Sequence, residues 1–156
     1  MRLDFRPSKP RDIRHIAPRM GHWDVIECRA VGHSPEQALR LGMAASLTCY
    51  TGVVDGRPEA MFGVVPGSMI DGVGSPWFLG TDHARLYSAP FLRRSAPFLQ
   101  EMQARFPCLH NRVHRDNARS IRWLHRMGFT IGTDLLYVGG EPMLAFWRGR
   151  SPCAIP

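Results

Sequence analysis

The residues with the clearest chemical meaning fall together in Asn117-Ala-Arg-Ser-Ile-Arg-Trp-Leu-His-Arg-Met-Gly-Phe129. They read as one amphipathic helix closed by Gly128. An asparagine at a helix start can accept a hydrogen bond from an orphan backbone N–H and still present its amide to a ligand. Arg115, Arg119, Arg122 and Arg126 recur at i, i+4, i+7 and i+11. A stripe of that spacing suits a nucleic-acid backbone or, more commonly, a solvated helix face. The strand expected at 109–115 leaves no preceding helix for a helix-turn-helix, so nucleic acid is not the expected partner. In that strand His110 and His114 share one face by the period of two, and either imidazole can move a proton near neutral pH.

Composition narrows the possibilities. A chain of 156 residues with 44% apolar and 21% charged residues matches one globular domain, long enough to bury a core. No apolar run approaches the ~20 residues of a membrane-spanning helix. The N-terminal residues lack the apolar stretch of a signal peptide, so the expected location is a cytoplasm, or a particle packaged from one. Cys28, Cys49, Cys108 and Cys153 never fall at metal-ligand spacing, which predicts free thiols and no metal site. The net charge of +7 rests on nineteen arginines and one lysine, Lys9, spread along the chain. Such a balance fits anionic cofactors or acidic partners.

These side chains need elements to hold them. Residues 1–9 suggest a first edge strand with Leu3 and Phe5 alternating. Asp12 is placed to cap a helix carrying Ile13, Ile16, Ala17 and Met20, and Pro18 argues for a break. A second short helix is expected from about 23 to 30, ended by Gly32. Ser34-Pro35-Glu36-Gln37 has the form of a capping box with proline at the first helical position. Residues 47–54 and 58–65 are strand-like runs joined by Asp55-Gly56, a strong hairpin signal. A glycine-rich turn spans 67–74, and a third strand begins with 76–79. Helical spacing returns over 85–106, with the main helix expected near Ser95 so that Pro97 lies in its first turn. Strands are predicted at 130–138 and 143–147. The order predicts an α/β (α+β) sandwich: a mixed, mostly antiparallel sheet flanked by helices on both faces.

Several segments resemble the GNAT N-acetyltransferase superfamily over most of the chain. The most specific is Asn117-x-x-Ser120-x-x-Trp123-Leu124-x-Arg126-x-Gly128-Phe129, which is similar to the superfamily's Asn-x-x-Ala-x-x-Leu-Tyr-x-Lys-x-Gly-Phe segment. Thr51-Gly52-Val53-Val54-Asp55-Gly56, Ala60-Met61-Phe62-Gly63-Val64 and Pro76-Trp77-Phe78-Leu79-Gly80-Thr81 most resemble a small tailed-phage family of GNAT-like proteins. Its members are described as acetyltransferase-like or as internal-virion or assembly proteins. The resemblance implies a splayed pair of central strands, with acetyl-CoA lying in the gap against Leu79, Gly80 and Thr81, and Asn117 and Ser120 on the cofactor side. It also implies a general base near the strand ends, for which Asp82 and His83 come first and His110 and His114 second.

Two departures from the superfamily pattern bear on activity. Between Thr81 and Gln100 there is no glycine, so the usual phosphate-cradling loop is missing. Arg93-Arg94-Ser95 is the substitute, with two guanidinium groups as a clamp for the pyrophosphate. Leu124 stands where a tyrosine often protonates the leaving thiolate. The expectation is therefore a phage-encoded acetyl-CoA-dependent N-acetyltransferase acting on an amine of a protein or small molecule, with a homodimer as one expected assembly. The alternative is a catalytically degenerate module that binds a virion or host protein.

Overall fold

The computed structural model describes residues 1–67 and 70–150. Its seven-stranded sheet has the order β1-β2-β3-β4-β5-β7-β6. The strands are β1 (Leu3–Pro7), β2 (Thr48–Val54), β3 (Arg57–Pro66), β4 (Val73–Gly80), β5 (Cys108–His114), β6 (Thr130–Val138) and β7 (Glu141–Gly149). All neighbours are antiparallel except β4 and β5, which run parallel and pair only at Val73–Cys108 and Gly74–Leu109. Beyond those two pairs the strands diverge into a fork. The mixed, mostly antiparallel sheet with a splayed central pair agrees with the expectation.

One face is covered by α1 (Pro10–Ile16), a 3-10 turn at Ala17–Arg19, α2 (His22–Ala30) and α3 (Pro35–Ala45). Ile13, Ile16, Met20, Cys28 and Leu39 pack there on Met61 of β3. The other face carries α5 (Ser88–Arg105) and α6 (Ala118–Arg126), whose Leu99, Met102 and Leu124 meet Phe62, Val113 and Phe146. A one-turn helix, α4 (Asp82–Leu86), connects β4 to α5.

Local chemistry explains most of these boundaries. The β2–β3 hairpin turns through Asp55 and Gly56 at φ 49° and 82°, the pair of left-handed residues that a tight hairpin requires. The Ser34 side chain accepts from Gln37 N while Gln37 returns a bond to Ser34 N. Two sequence readings are corrected. Asp12 is not the cap of α1; Lys9 holds that position and Asp12, three residues on, accepts from Lys9 N. It is also held by Arg6 and Thr51 beneath β1 and β2. Burial works to raise the Asp12 carboxyl, but Arg6, Lys9 N–H and Thr51 together hold it below its ordinary value.

The second correction concerns the long helix, which starts at Ser88 rather than near Ser95 and keeps Pro97 in its interior. Proline there removes the bond to the Arg93 carbonyl. Pro97 is exposed, so water can take the bond's place and the helix continues.

Candidate functional site

The fork between β4 and β5 opens into a cleft of about 680 Å³ that is lined from both faces of the sheet. Its polar geometry follows from strand register. Gly67 N bonds Val73 O and Thr81 N bonds Glu59 O, so the odd-numbered residues of β4 direct their backbone groups to β3. The even ones, Gly74, Pro76, Phe78 and Gly80, face the fork. The same reasoning on β5, anchored by Arg115 N to Pro142 O, turns the backbone of His110, Arg112 and His114 toward the fork.

Four of these groups are satisfied by side chains, and the Gly80 and His114 carbonyls accept from the backbone of Gly21 and Asn117. Asn111 closes the crotch, donating from Nδ2 to Pro76 O at 2.8 Å and accepting from Arg112 N at 2.8 Å. At the open end, Gly80 N donates to Asp24 Oδ2 at 2.9 Å and His114 N donates to Glu27 Oε1 at 2.8 Å. Two carboxylates three residues apart on α2 thus hold the tips of both splayed strands. Between these points the N–H and C=O of Phe78 point into the gap with no partner among the described residues. Trp123 lines the cleft as well, and its buried Nε1–H has no partner among the described residues. An enclosed polar group without a partner is costly, so a ligand with amide groups fits here.

The two carboxylates differ in environment. Asp24 is fully enclosed, and desolvation pushes it up to about 6 against the pull of Arg85 and the Gly80 N–H. Arg85 Nη2 lies 2.7 Å from Asp24 Oδ1, and Nη1 reaches Ser120 Oγ at 3.4 Å. Arg85 therefore ties α4 to α2 and α6 across the cleft. Burial also raises Glu27, opposed by the His114 N–H and Asn117. Both bonds to Glu27 end on Oε1. Oε2 has no partner among the described residues and is not enclosed, so it is open to the cleft. Cys28 lines the cleft too, but burial and the nearby Asp24 and Glu27 push its thiol up to about 12. It is no nucleophile at neutral pH.

The residues singled out from the sequence divide. Asn117 is fully buried; its Oδ1 accepts from Ser120 N at 3.3 Å and its Nδ2 donates to Glu27 at 3.2 Å. Leu79 and Ser120 line the cleft, and Asn117 lies behind them, bonded to Glu27 and Ser120. The Gly80 N–H is occupied by Asp24 and the Thr81 N–H by Glu59 O, while Thr81 Oγ1 caps α4. Asp82 and His83 are exposed on α4 and do not line the cleft. Once Thr81 caps that helix, the next two residues turn outward. Arg93, Arg94 and Ser95 sit in the second turn of α5, away from any helix start. Arg94 binds the Leu3 carbonyl and lies 4.9 Å over the Phe5 ring, holding β1. Ser95 does line the cleft, with its Oγ–H donating to the Leu92 carbonyl, whereas Arg93 and Arg94 do not; Arg119, Arg122 and Arg126 are the arginines of the α6 side.

Of the second-choice histidines, burial and Arg112 lower His110. His114 stacks on Trp23 and bonds Glu141 through Nε2 at 2.7 Å. Its Nδ1 accepts from Asp116 N, which makes Nε2 the protonated nitrogen. Asp24, Glu27, Arg85, Asn111 and the Phe78 backbone escaped the sequence reading. The one available signal was a pair of acidic residues three apart in a short helix, with Asp24 on the same stripe as Cys28.

The fold is similar to that of solved N-acetyltransferase structures. Among solved structures, AAC(6')-Ib in complex with ribostamycin and coenzyme A superposes with a TM-score of 0.68 at 14% identity, over 96% of this chain and 94% of that one. Ard1 from Thermoplasma volcanium gives 0.68 at 18% identity, over 97% and 99%. A GCN5-related N-acetyltransferase from Kribbella flavida gives 0.68 at 18%, over 95% and 98%. At such identities the likeness establishes the fold. No protein-family profile matches the chain, and no curated protein does.

Proposed function

We propose that the protein is an acetyl-CoA-dependent N-acetyltransferase whose acceptor is an amine. The observation that carries this reading is the fork itself, with the Phe78 backbone unpaired in the gap and a carboxylate oxygen of Glu27 open beside it. Bound acetyl-CoA would supply an acetyl group activated as a thioester. Phe78 and the Trp123 indole N–H would hold amide groups of its pantetheine arm. Leu79 and Ser120 would flank that arm. With no glycine loop, Arg119 and Arg122 would meet its phosphates as side-chain cations, in place of Arg93 and Arg94.

Glu27 is the general base of this reading. Its Oε2 takes a proton from the acceptor ammonium, and its raised basicity suits that task. Asn117 and His114 N–H orient the carboxylate by binding its other oxygen. Asp24 and Arg85 are positioning residues that hold the end of β4. Asp82 and His83 stand outside the cleft and take no part in this scheme.

A second reading is a silent GNAT-like module that binds a virion or host protein. Leu124 in the tyrosine's place and the helical, glycine-free connection after Thr81 favour it. Calorimetric titration with acetyl-CoA separates the two. Micromolar binding that weakens in Arg119→Ala/Arg122→Ala supports the enzyme, and no binding at millimolar cofactor leaves the module.

A further inference from the structure

The cleft has two unlike halves. On the α5/α6 side it is entered past arginines. On the α2/α3 side its wall is mostly apolar: Val31, Ala38, Leu41, Ala45 and Trp77 line it, with His33 the polar exception on that helical pair. Val31 and Leu41 remain 56% and 51% exposed, a lip of uncovered aliphatic surface at the mouth of a cavity. Trp77 is fixed as part of that wall by its Nε1–H bond to Ser46 Oγ at 2.7 Å and by Gly42, which leaves room for the indole.

Charge in the cleft is as uneven as polarity. Among the described residues its acidic lining is Asp24 and Glu27, and its basic lining is Arg85, Arg112, Arg119, Arg122 and Arg126, with the His33 imidazole between α2 and α3. Asp24 is already engaged by Arg85 and the Gly80 N–H. Glu27 Oε2 is thus the one anionic atom open to a ligand. Arg112 stands on the same face of the sheet as α2, because alternation along β5 sends Leu109 and Val113 to the opposite core while His114 stacks on Trp23. An acceptor with one ammonium group finds one partner; each further positive charge finds an arginine or an apolar wall.

Resting on the acetyltransferase reading of the same site, we infer that the acceptor is a monoamine with an apolar body, aliphatic or aromatic. Its ammonium meets Glu27 and its body lies along the Val31–Leu41–Trp77 wall. Polycationic amines are excluded. A small amine and a polypeptide N-terminus that begins with an apolar residue share this chemistry.

Calorimetry on the protein saturated with coenzyme A tests the inference, using 2-phenylethylamine, spermidine and a tetrapeptide beginning with phenylalanine. Phenylethylamine is expected to bind at least tenfold more tightly than spermidine. Leu41→Asp, a change at an exposed position, should remove that preference without altering coenzyme A affinity. The tetrapeptide matching phenylethylamine identifies a polypeptide N-terminus as the source, and a tenfold loss identifies a small amine. Spermidine binding as tightly as phenylethylamine, or neither amine binding to a protein that takes coenzyme A, overturns the inference. Failure of coenzyme A itself to bind defeats the acetyltransferase reading instead. The amine comparison then runs on the free protein, where the same order is expected.

Discussion

Glu27 and Asp24 are one helical turn apart, yet they are set for different work. Glu27 keeps one oxygen open and one oriented, so Glu27→Gln should lower kcat by about 10²-fold or more, the usual worth of a general base. Coenzyme A affinity, read by calorimetry, should stay within about twofold, because the amide oxygen still accepts from His114 N and Asn117. In the unmodified protein kcat/KM should fall as pH drops through a carboxyl value raised above the ordinary range, and that limb should vanish in the variant. Asp24 reports on stability. Its carboxyl sits near 6 in the folded state and near 3.8 in the unfolded chain, so the folded form binds the proton more tightly. Its stabilising contribution is full below about 4 and is lost as pH rises through 6. Chemical denaturation should therefore show the stability of the natural protein, relative to Asp24→Asn, falling between pH 4 and pH 7.

Among the elements, α3 and β4 meet where a glycine is required. A methyl group at Gly42 would lie 2.8 Å from the Trp77 ring, closer than packed carbons allow. Alanine gains about 1 kcal/mol in helix propensity, but overpacking against a fixed indole costs roughly 1–3 kcal/mol. Gly42→Ala should lower Tm by about 2–4 °C in a thermal melt and shift tryptophan emission, since Trp77 must move. Elements of this kind were only partly legible in the sequence. Asp55-Gly56 and Ser34–Gln37 were readable because their bonds close within four residues. Pro97 misled the placement of α5, because whether a proline stops a helix depends on water reaching the carbonyl it frees. That is a property of the packed surface.

For the whole molecule, the +7 charge becomes specific only where the fold gathers arginines at one cleft. Coenzyme A binding should weaken steadily with ionic strength. Arg119→Ala/Arg122→Ala should cost about tenfold in affinity at low salt, flatten that dependence and leave Tm unchanged, since both side chains are exposed. The stripe of arginines was visible in the chain, but its partner was not. The sequence by itself determined the alternation of strands and helices, the Asp55-Gly56 turn, the Ser34 cap and the Asn117–Phe129 helix, because periodicity and capping act between near neighbours. Tertiary structure alone decided which groups face the fork. Backbone direction in a sheet is set by register against another strand, and two acidic residues on α2 matter only because that helix crosses the tips of β4 and β5.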